Sequence, residues 1–199
     1  MSPFDAGSEH TDREFKDLIL PQREVSGNEF YDCAFVSCRF PETAFNNCRF
    51  VTCQFRRCDL SLLRVTGSSF TEITFQDCNM TGVDWTQASW GLLSAVRFLR
   101  CTLNYSIFTD LDLQRTRIEG CVAEEVDFRG ANLTGVNLRH TDFLGSFFKH
   151  TVLERADFSH ARNYNIDVNL HQIKGAKFML PEAVALLRGL DIVLVEGST

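Results

Sequence analysis

No stretch of this 199-residue chain approaches the roughly 18 to 20 consecutive apolar residues needed to span a bilayer, so no membrane partner is expected. Basic residues are not in excess either. Twenty Lys and Arg face 26 Asp and Glu, a net charge of -6, which argues against a non-specific polyanion binder. Direct nucleic-acid binding is therefore not expected. The segment Met1–Asp12 lacks the basic start and apolar stretch of a secretory signal, and the expected location is the cytoplasm. Also missing are a G-x-S-x-G elbow, a phosphate loop of the G-x-x-x-x-G-K type and an H-E-x-x-H pair. Paired acids such as Glu124 and Glu125 imply no cleft around them. The expectation is a protein that is not an enzyme and carries no cofactor or metal.

What the chain does have is a period of five. Every fifth residue from Phe30 to Trp90 is apolar and nearly always large, including Phe35, Phe40, Phe45, Phe50, Phe55, Phe70 and Phe75. The pattern slips by three residues, resumes at Phe98 and runs to Phe158. Two positions before each of these centres sits a smaller residue, Cys33, Cys38, Thr43, Cys48, Cys53 and Cys58 at first, then residues such as Cys101, Ser106, Cys121, Ala131 and Thr141. The other three positions are mostly polar. A period of five fits neither the 3.6 of a helix nor the 2 of a flat strand. Each unit turns one bulky and one small side chain inward. A short extended segment followed by a bend does this, and continuous coiling of such segments encloses a core. The 18 phenylalanines are expected to fill it.

The run Ala131-Asn-Leu-Thr-Gly, Val136-Asn-Leu-Arg-His, Thr141-Asp-Phe-Leu-Gly, ending in Ala156-Asp-Phe-Ser-His, resembles the pentapeptide repeat family. The resemblance covers residues 28–158, with Val25, Leu20 and Phe15 keeping the phase upstream. It implies an all-β solenoid, a right-handed quadrilateral β-helix with four units per coil, so that residues 20 apart stack in one column. The columns then read Phe30/Phe50/Phe70/Trp90, Phe35/Phe55/Phe75, Phe40/Leu60/Met80 and Phe45/Val65/Trp85 in the first run. The second run gives Phe98/Ile118/Leu138/Phe158, Leu103/Ala123/Phe143, Phe108/Phe128/Phe148 and Leu113/Leu133/Leu153, with Ala123 the weak member of its column.

The chain accordingly divides into a lead-in and cap over 1–24, a first coil block over 25–90, an interruption over 91–95, a second block over 96–160 and a C-terminal cap and dimerisation module over 161–199. A regular coil cannot absorb three extra residues, so those around Gly91, Leu92, Leu93 and Ser94 are expected to bulge outward as a small loop or to distort one corner; the two leucines either fold back against the coil wall or touch a partner, which makes Gly91–Ser94 the candidate partner contact. In the tail, Asn163-Tyr-Asn-Ile-Asp167 closes the last coil irregularly. Leu180–Gly189 reads as a two-turn capping helix with Pro181 and Glu182 suited to its start and Gly189 to its end. Leu190–Val195 reads as a terminal strand.

All eight cysteines fall at the small inward position and read as small hydrophobes, with Cys38, Cys58 and Cys78 in one column. His140, His150 and His160 fall at outward or corner positions. His140 and His160 should stack on one side, which is too few ligands for a metal site.

The break near the middle, the closing segment and the tail from Ala176 to Asp191 together look like the quinolone-, albicidin- and microcin-resistance branch of that family. The resemblance implies a dimeric rod that mimics duplex DNA, engages DNA gyrase or topoisomerase IV, and protects it from a topoisomerase poison. The candidate mimic acids are Asp32, Glu42, Asp59, Asp77, Asp84, Asp110, Asp112, Glu119, Asp127, Asp142 and Asp157. The candidate homodimer interface is Leu186, Leu187, Leu190, Ile192 and Leu194. An interruption of three residues departs from the long projecting loops of the quinolone-resistance proteins, which favours another gyrase poison. The alternative is a generic protein-binding scaffold or regulator without topoisomerase activity.

Overall fold

A computed structural model describes residues 4–91, 95–190, 192 and 195. The period of five is converted there into a right-handed quadrilateral β-helix. One wall stacks the parallel strands Glu9–Thr11, Glu29–Tyr31, Arg49–Val51 and Ser69–Thr71. A second runs Glu14–Lys16, Ala34–Val36, Gln54–Arg56, Ile73–Gln76, Val96–Leu99 and Arg117–Glu119. A third begins with Glu24–Ser26 on Ala44–Asn46, and single bridges such as Arg39 to Asp59 and Asp59 to Asn79 build the fourth. Three-residue strands suffice because each is held on both sides by the coils above and below.

The register is 20 residues throughout the first block, as in Phe30 opposite Phe50 and Phe35 opposite Phe55. It becomes 23 where Ile73 meets Val96 and Phe75 meets Phe98, and returns to 20 at Phe98 opposite Ile118. The slip is thus absorbed in one corner, between Ser89, still paired with Ser69, and Ala95. Two columns show this directly. Phe35, Phe55, Phe75 and Phe98 stack ring on ring at 4.5, 4.9 and 5.5 Å, and Trp85 continues to Phe108 and Phe128 at 6.0 and 5.3 Å. Ala123 is fully buried, like Leu103 and Phe143 of its column.

The coil extends beyond both expected boundaries. Upstream, Glu9–Thr11 pairs with Glu29–Tyr31, and His10 takes the place of a phenylalanine, 5 % exposed and stacked 4.9 Å from Phe30. Phe4 closes that end, its ring edge-on to His10, Phe15 and Phe30. Downstream, bridges from Val152 to Gln172 and Asp157 to Lys177 add part of another coil, and Phe178 stacks 5.1 Å from Phe158. The expected helix is present as a 3₁₀ helix, Glu182–Leu190, which lays Leu186 against the core. Of the expected terminal strand, Ile192 and Val195 belong to no regular element; Asp191, Val193 and Leu194 lie outside the described residues.

Two local devices make the corners. The second residue after many centres adopts left-handed backbone, as at Asp32 (φ 52°), Glu42 (φ 55°) and Asp110 (φ 58°), or is glycine, as at Gly130 (φ 71°). Non-glycine residues pay a penalty there of roughly 1–2 kcal/mol, which the flanking coils impose. The second device is at the small inward position. Cys48, Cys53, Cys58, Cys78 and Cys121 donate their thiols to the carbonyls of Val25, Phe30, Phe35, Phe55 and Phe98, each 23 residues earlier, at 3.3–3.4 Å. Ser68, Thr141, Ser146 and Thr151 do the same with hydroxyls. Across the slip the offset becomes 26, from Cys101 to Phe75 and Ser106 to Met80. The thiols are therefore hydrogen-bond donors as well as apolar filling.

Candidate interaction surfaces

All eight cysteines are buried and unpaired by disulfides. Cys53, Cys78 and Cys101 have their pKa values pushed up to about 12. For Cys53 burial is the main cause; for Cys78 and Cys101 the neighbouring thiol in the column comes first and burial adds to it. A thiol so held is a poor nucleophile. His140 and His160 stack 4.6 Å apart on one corner column. Among the described residues no three His, Cys, Asp or Glu side chains converge as a metal site would require, and no helix is long and apolar enough to cross a membrane.

The eleven candidate acids separate by position in the repeat. Asp59, Asp84, Asp112, Asp127, Asp142 and Asp157 each precede a centre, and each accepts a hydrogen bond at Oδ1 from the backbone N–H two residues on, at 3.0–3.3 Å. Asn79, Asn132 and Asn137 do the same in equivalent units. The turn needs a side-chain oxygen there and not a charge. Asp32, Glu42, Asp77 and Asp110 occupy the left-handed corner and are exposed, and Glu119 is half-buried on a strand.

Five of the eleven carry a basic partner. Asp77 pairs with Arg100 at 2.8 Å, Asp142 with Arg162 at 2.8 Å and Asp157 with Lys177 at 3.7 Å, all across adjacent coils. Glu119 pairs with Arg117 and Asp127 with Arg129, along the chain. The hydrogen bond from Arg100 holds the Asp77 carboxyl below its ordinary pKa, and that from Arg129 does the same for Asp127. At Asp142 burial opposes ionisation, and hydrogen bonds from Asn163 and Arg162 outweigh it. These carboxylates are ionised at neutral pH, but their field is locally cancelled.

The uncompensated charge lies elsewhere. Residues 1–32 hold eight acids against three bases, a net of -5, whereas the remaining 167 residues hold 18 against 17. Asp12, Asp32 and Glu72 share one exposed corner column, with Glu9 and Glu29 in register on the adjoining wall. Apart from Asp32, none of these five stood out from the repeat alone.

Of the candidate bulge, Gly91 is exposed, and Leu92, Leu93 and Ser94 lie outside the described residues. In the candidate dimer interface Leu186 packs inward, while Leu187 is half-buried; Leu190 and Ile192 are 44 and 52 % exposed. Exposed apolar side chains also gather near the corner of the second block, including Tyr105, Ile107, Leu144 and Phe147, with the Arg129 guanidinium 5.9 Å from the Phe147 ring centroid.

Two family models match the chain, one described as a pentapeptide repeat region over residues 28–108 and 49–128, and one described as pentapeptide repeats (8 copies) over residues 131–162. No curated protein matches it. Among solved structures, a trypsin-treated variant of QnrB1, described as a plasmid-mediated fluoroquinolone resistance protein, superposes with a TM-score of 0.71 at 17 % identity, covering 96 % of this chain and 99 % of that one. A second trypsin-treated variant gives 0.64 at 18 % identity with the same coverage. Full-length QnrB1 gives 0.56 at 19 %, covering 90 % of this chain and all of that one. At these identities the likeness is one of fold.

Proposed function

The chain belongs to the pentapeptide repeat family, and on that premise we propose that it binds DNA gyrase, or topoisomerase IV, and protects the enzyme from a topoisomerase-poisoning antibiotic or peptide toxin. The observation that carries this reading is the match, along nearly the whole length of both chains, to a protein described as conferring fluoroquinolone resistance. A filled coil leaves its outer surface for work, and outer surfaces bind. In this reading the protein acts as a homodimer through its C-terminal module, with Leu187, Leu190 and Ile192 at the contact. The acidic first coils enter a basic DNA-binding saddle, where charge favours encounter and the rod's width sets register.

The distribution of charge shapes the proposal. With Asp77, Asp127 and Asp142 neutralised by arginines, DNA mimicry rests on the Asp12/Asp32/Glu72 column and its neighbours. The near balance of charge beyond residue 32 favours a second reading, a protein-binding scaffold that never touches gyrase.

Gyrase supercoiling and cleavage-complex accumulation, measured with and without the protein across several poisons, separate the two. Rescue of supercoiling with fewer cleavage complexes for at least one poison is expected. Unchanged readouts with every poison leave only the scaffold reading.

A further inference from the structure

The corner that carries the acidic column also carries its opposite. It lies between the wall that begins with Glu9–Thr11 and the wall that begins with Glu14–Lys16. The pairings of Thr74 with Arg97 and of Arg97 with Arg117 continue it past the slip. Among the described residues it is nine turns deep, the fifth holding Ser89 and Arg97, the sixth Asp112 to Arg117, the seventh Asn132 to Asn137, the eighth Val152 to Asp157 and the ninth Gln172 to Lys177. In the first four turns Glu9, Asp12, Glu29, Asp32 and Glu72 outnumber Arg49 and the end-turn Arg13, while Glu14 is taken up by Lys16 and Arg56. From the fifth turn on the sign reverses. Arg97, Arg115, Arg117, Arg155, Lys174 and Lys177, all exposed, outnumber Asp112, Glu154 and Asp157.

Few of these charges are neutralised within the chain. Lys177 reaches Asp157 at 3.7 Å and Arg117 pairs with Glu119. Arg97, Arg155 and Lys174 make no ion pair among the described residues, and neither do Glu9, Asp12, Asp32 and Glu72. Their order along the corner makes it self-complementary. Successive turns are about 4.8 Å apart. A second copy turned end for end about a twofold axis at the fifth turn sets the first turn against the ninth, the second against the eighth and the fourth against the sixth. Asp12 then meets Lys174 and Lys177, Asp32 meets Arg155, and Glu72 meets Arg115 and Arg117. Arg49, the base inside the acidic turns, meets the seventh turn, where Asn132, Thr134 and Asn137 carry no charge. Sliding the copy by one turn sets Arg49 against Arg115 or Arg155 and leaves Asp32 or Glu72 opposite that uncharged turn. A parallel copy sets like against like. The antiparallel register alone satisfies the corner, and the twofold axis makes each contact twice.

We propose that this corner pairs two copies of the chain side by side and antiparallel, the acidic first turns of each lying on the basic last turns of the other. Exposed ion pairs each contribute little, and Arg13, Asp112, Glu154 and Asp157 temper the attraction. The association is therefore weak, dependent on concentration and screened by salt. It is separate from the C-terminal contact, whose apolar residues salt does not screen. It also goes beyond the gyrase reading. Pairing covers Asp12, Asp32 and Glu72, so a paired copy withholds the acids which that reading sends into the DNA-binding saddle.

The test is sedimentation equilibrium of the full chain over a range of protein concentrations, at about 20 mM and about 0.5 M sodium chloride. The state at high salt is the baseline. At low salt the average mass should rise above it with concentration, through an association at least about tenfold tighter. Asp12→Lys/Asp32→Lys and Arg155→Glu/Lys174→Glu should each lose that rise. An equimolar mixture of the two variants should recover it, since one then offers bases to the other's acids along most of the corner. Both variants keep a net negative charge, so bulk attraction does not drive the mixture. The corner accepts either sign: Arg57 and Arg100 already hold the backbone of Asp12 and Asp32, at φ 53° and 51°, and Glu42 and Glu72 that of Arg155, at φ 55° and 56°. Circular dichroism checks that the variants keep the coil. Asp17→Lys/Asp110→Lys makes the same charge change at exposed positions on other corners and should associate like wild type. The proposal is overturned by a mass that ignores salt, by a mixture no heavier than its components, or by an equal loss in the Asp17/Asp110 variant. Duplex DNA bound by wild type and released by Arg155→Glu/Lys174→Glu, without self-association, would also overturn it and assign the basic turns to a nucleic acid.

Discussion

Replacing Phe55 by alanine probes how much of the stability lives in the ring columns. Phe55 is 1 % exposed and lies between Phe35 and Phe75 at 4.5 and 4.9 Å, with Phe50 edge-on at 5.8 Å. Deleting a buried phenyl ring costs about 3–5 kcal/mol through lost transfer energy and the cavity left behind. Coils above and below fix the neighbouring rings by backbone pairing, so the site cannot collapse, and the upper end, about 5 kcal/mol, is expected. Phe55→Leu fills most of the volume and loses chiefly the ring–ring component, about 0.5–1.5 kcal/mol per pair before neighbours readjust, so its cost should be about 2 kcal/mol. Urea unfolding followed by circular dichroism measures both. With a slope of about 3 kcal/mol per molar, the alanine variant should lose about 1.7 M in its midpoint and the leucine variant about 0.7 M. An alanine loss below about 2 kcal/mol, or equal losses for the two, would show that the columns are not the main source of stability.

The thiols predict an alkaline limit. Cys53, Cys78 and Cys101 have folded pKa values raised to about 12, so the protonated thiol is favoured by the fold, and stability present below about pH 8.5 is lost as pH rises above it. Each contributes a slope of up to about 1.4 kcal/mol per pH unit between those limits, and melting temperature between pH 7 and 10 should fall steeply; a flat profile would show that neither burial nor the neighbouring thiols raise these groups. Cys58→Ala should cost about 0.5–1.5 kcal/mol beyond the small change in volume by removing the donor to Phe35, whereas Cys58→Ser should keep the bond; equal melting temperatures would show that the thiol bond adds nothing. Asp59→Asn should leave stability within about 0.5 kcal/mol and Asp59→Ala should lose about 1 kcal/mol, since the turn needs the oxygen; equal losses in calorimetry would make the charge the essential feature. Replacing Leu187 and Ile192 by glutamate should shift sedimentation to that of a monomer, and an unchanged dimer would place the interface elsewhere.

The period of five made the centres, the burial of every cysteine and the three-residue slip readable, because each unit encodes which side chains face in. His10 escaped that reading. An imidazole looks polar in a sequence, and only its place between the rings of Phe4 and Phe30 marks it as core. The acids were legible as outward but not by role. Asp127 and Asp142 look like mimic carboxylates until the turn N–H groups and the arginines appear beside them.

By itself, then, the sequence determined the five-residue unit and the contents of the core, since those follow from inward and outward alternation repeated along one axis, while four units to a coil, and with it the 20-residue register, came from the resemblance to the family. Tertiary structure alone decided where charge survives and where a cavity opens. Asp77 meets Arg100 only because the coils stack with a 23-residue offset at the slip, and a cleft beside Leu144, Tyr164 and Val184 opens only because the 3₁₀ helix lies beside the last coil. Both depend on residues far apart in the chain being brought together, which a local repeat cannot specify.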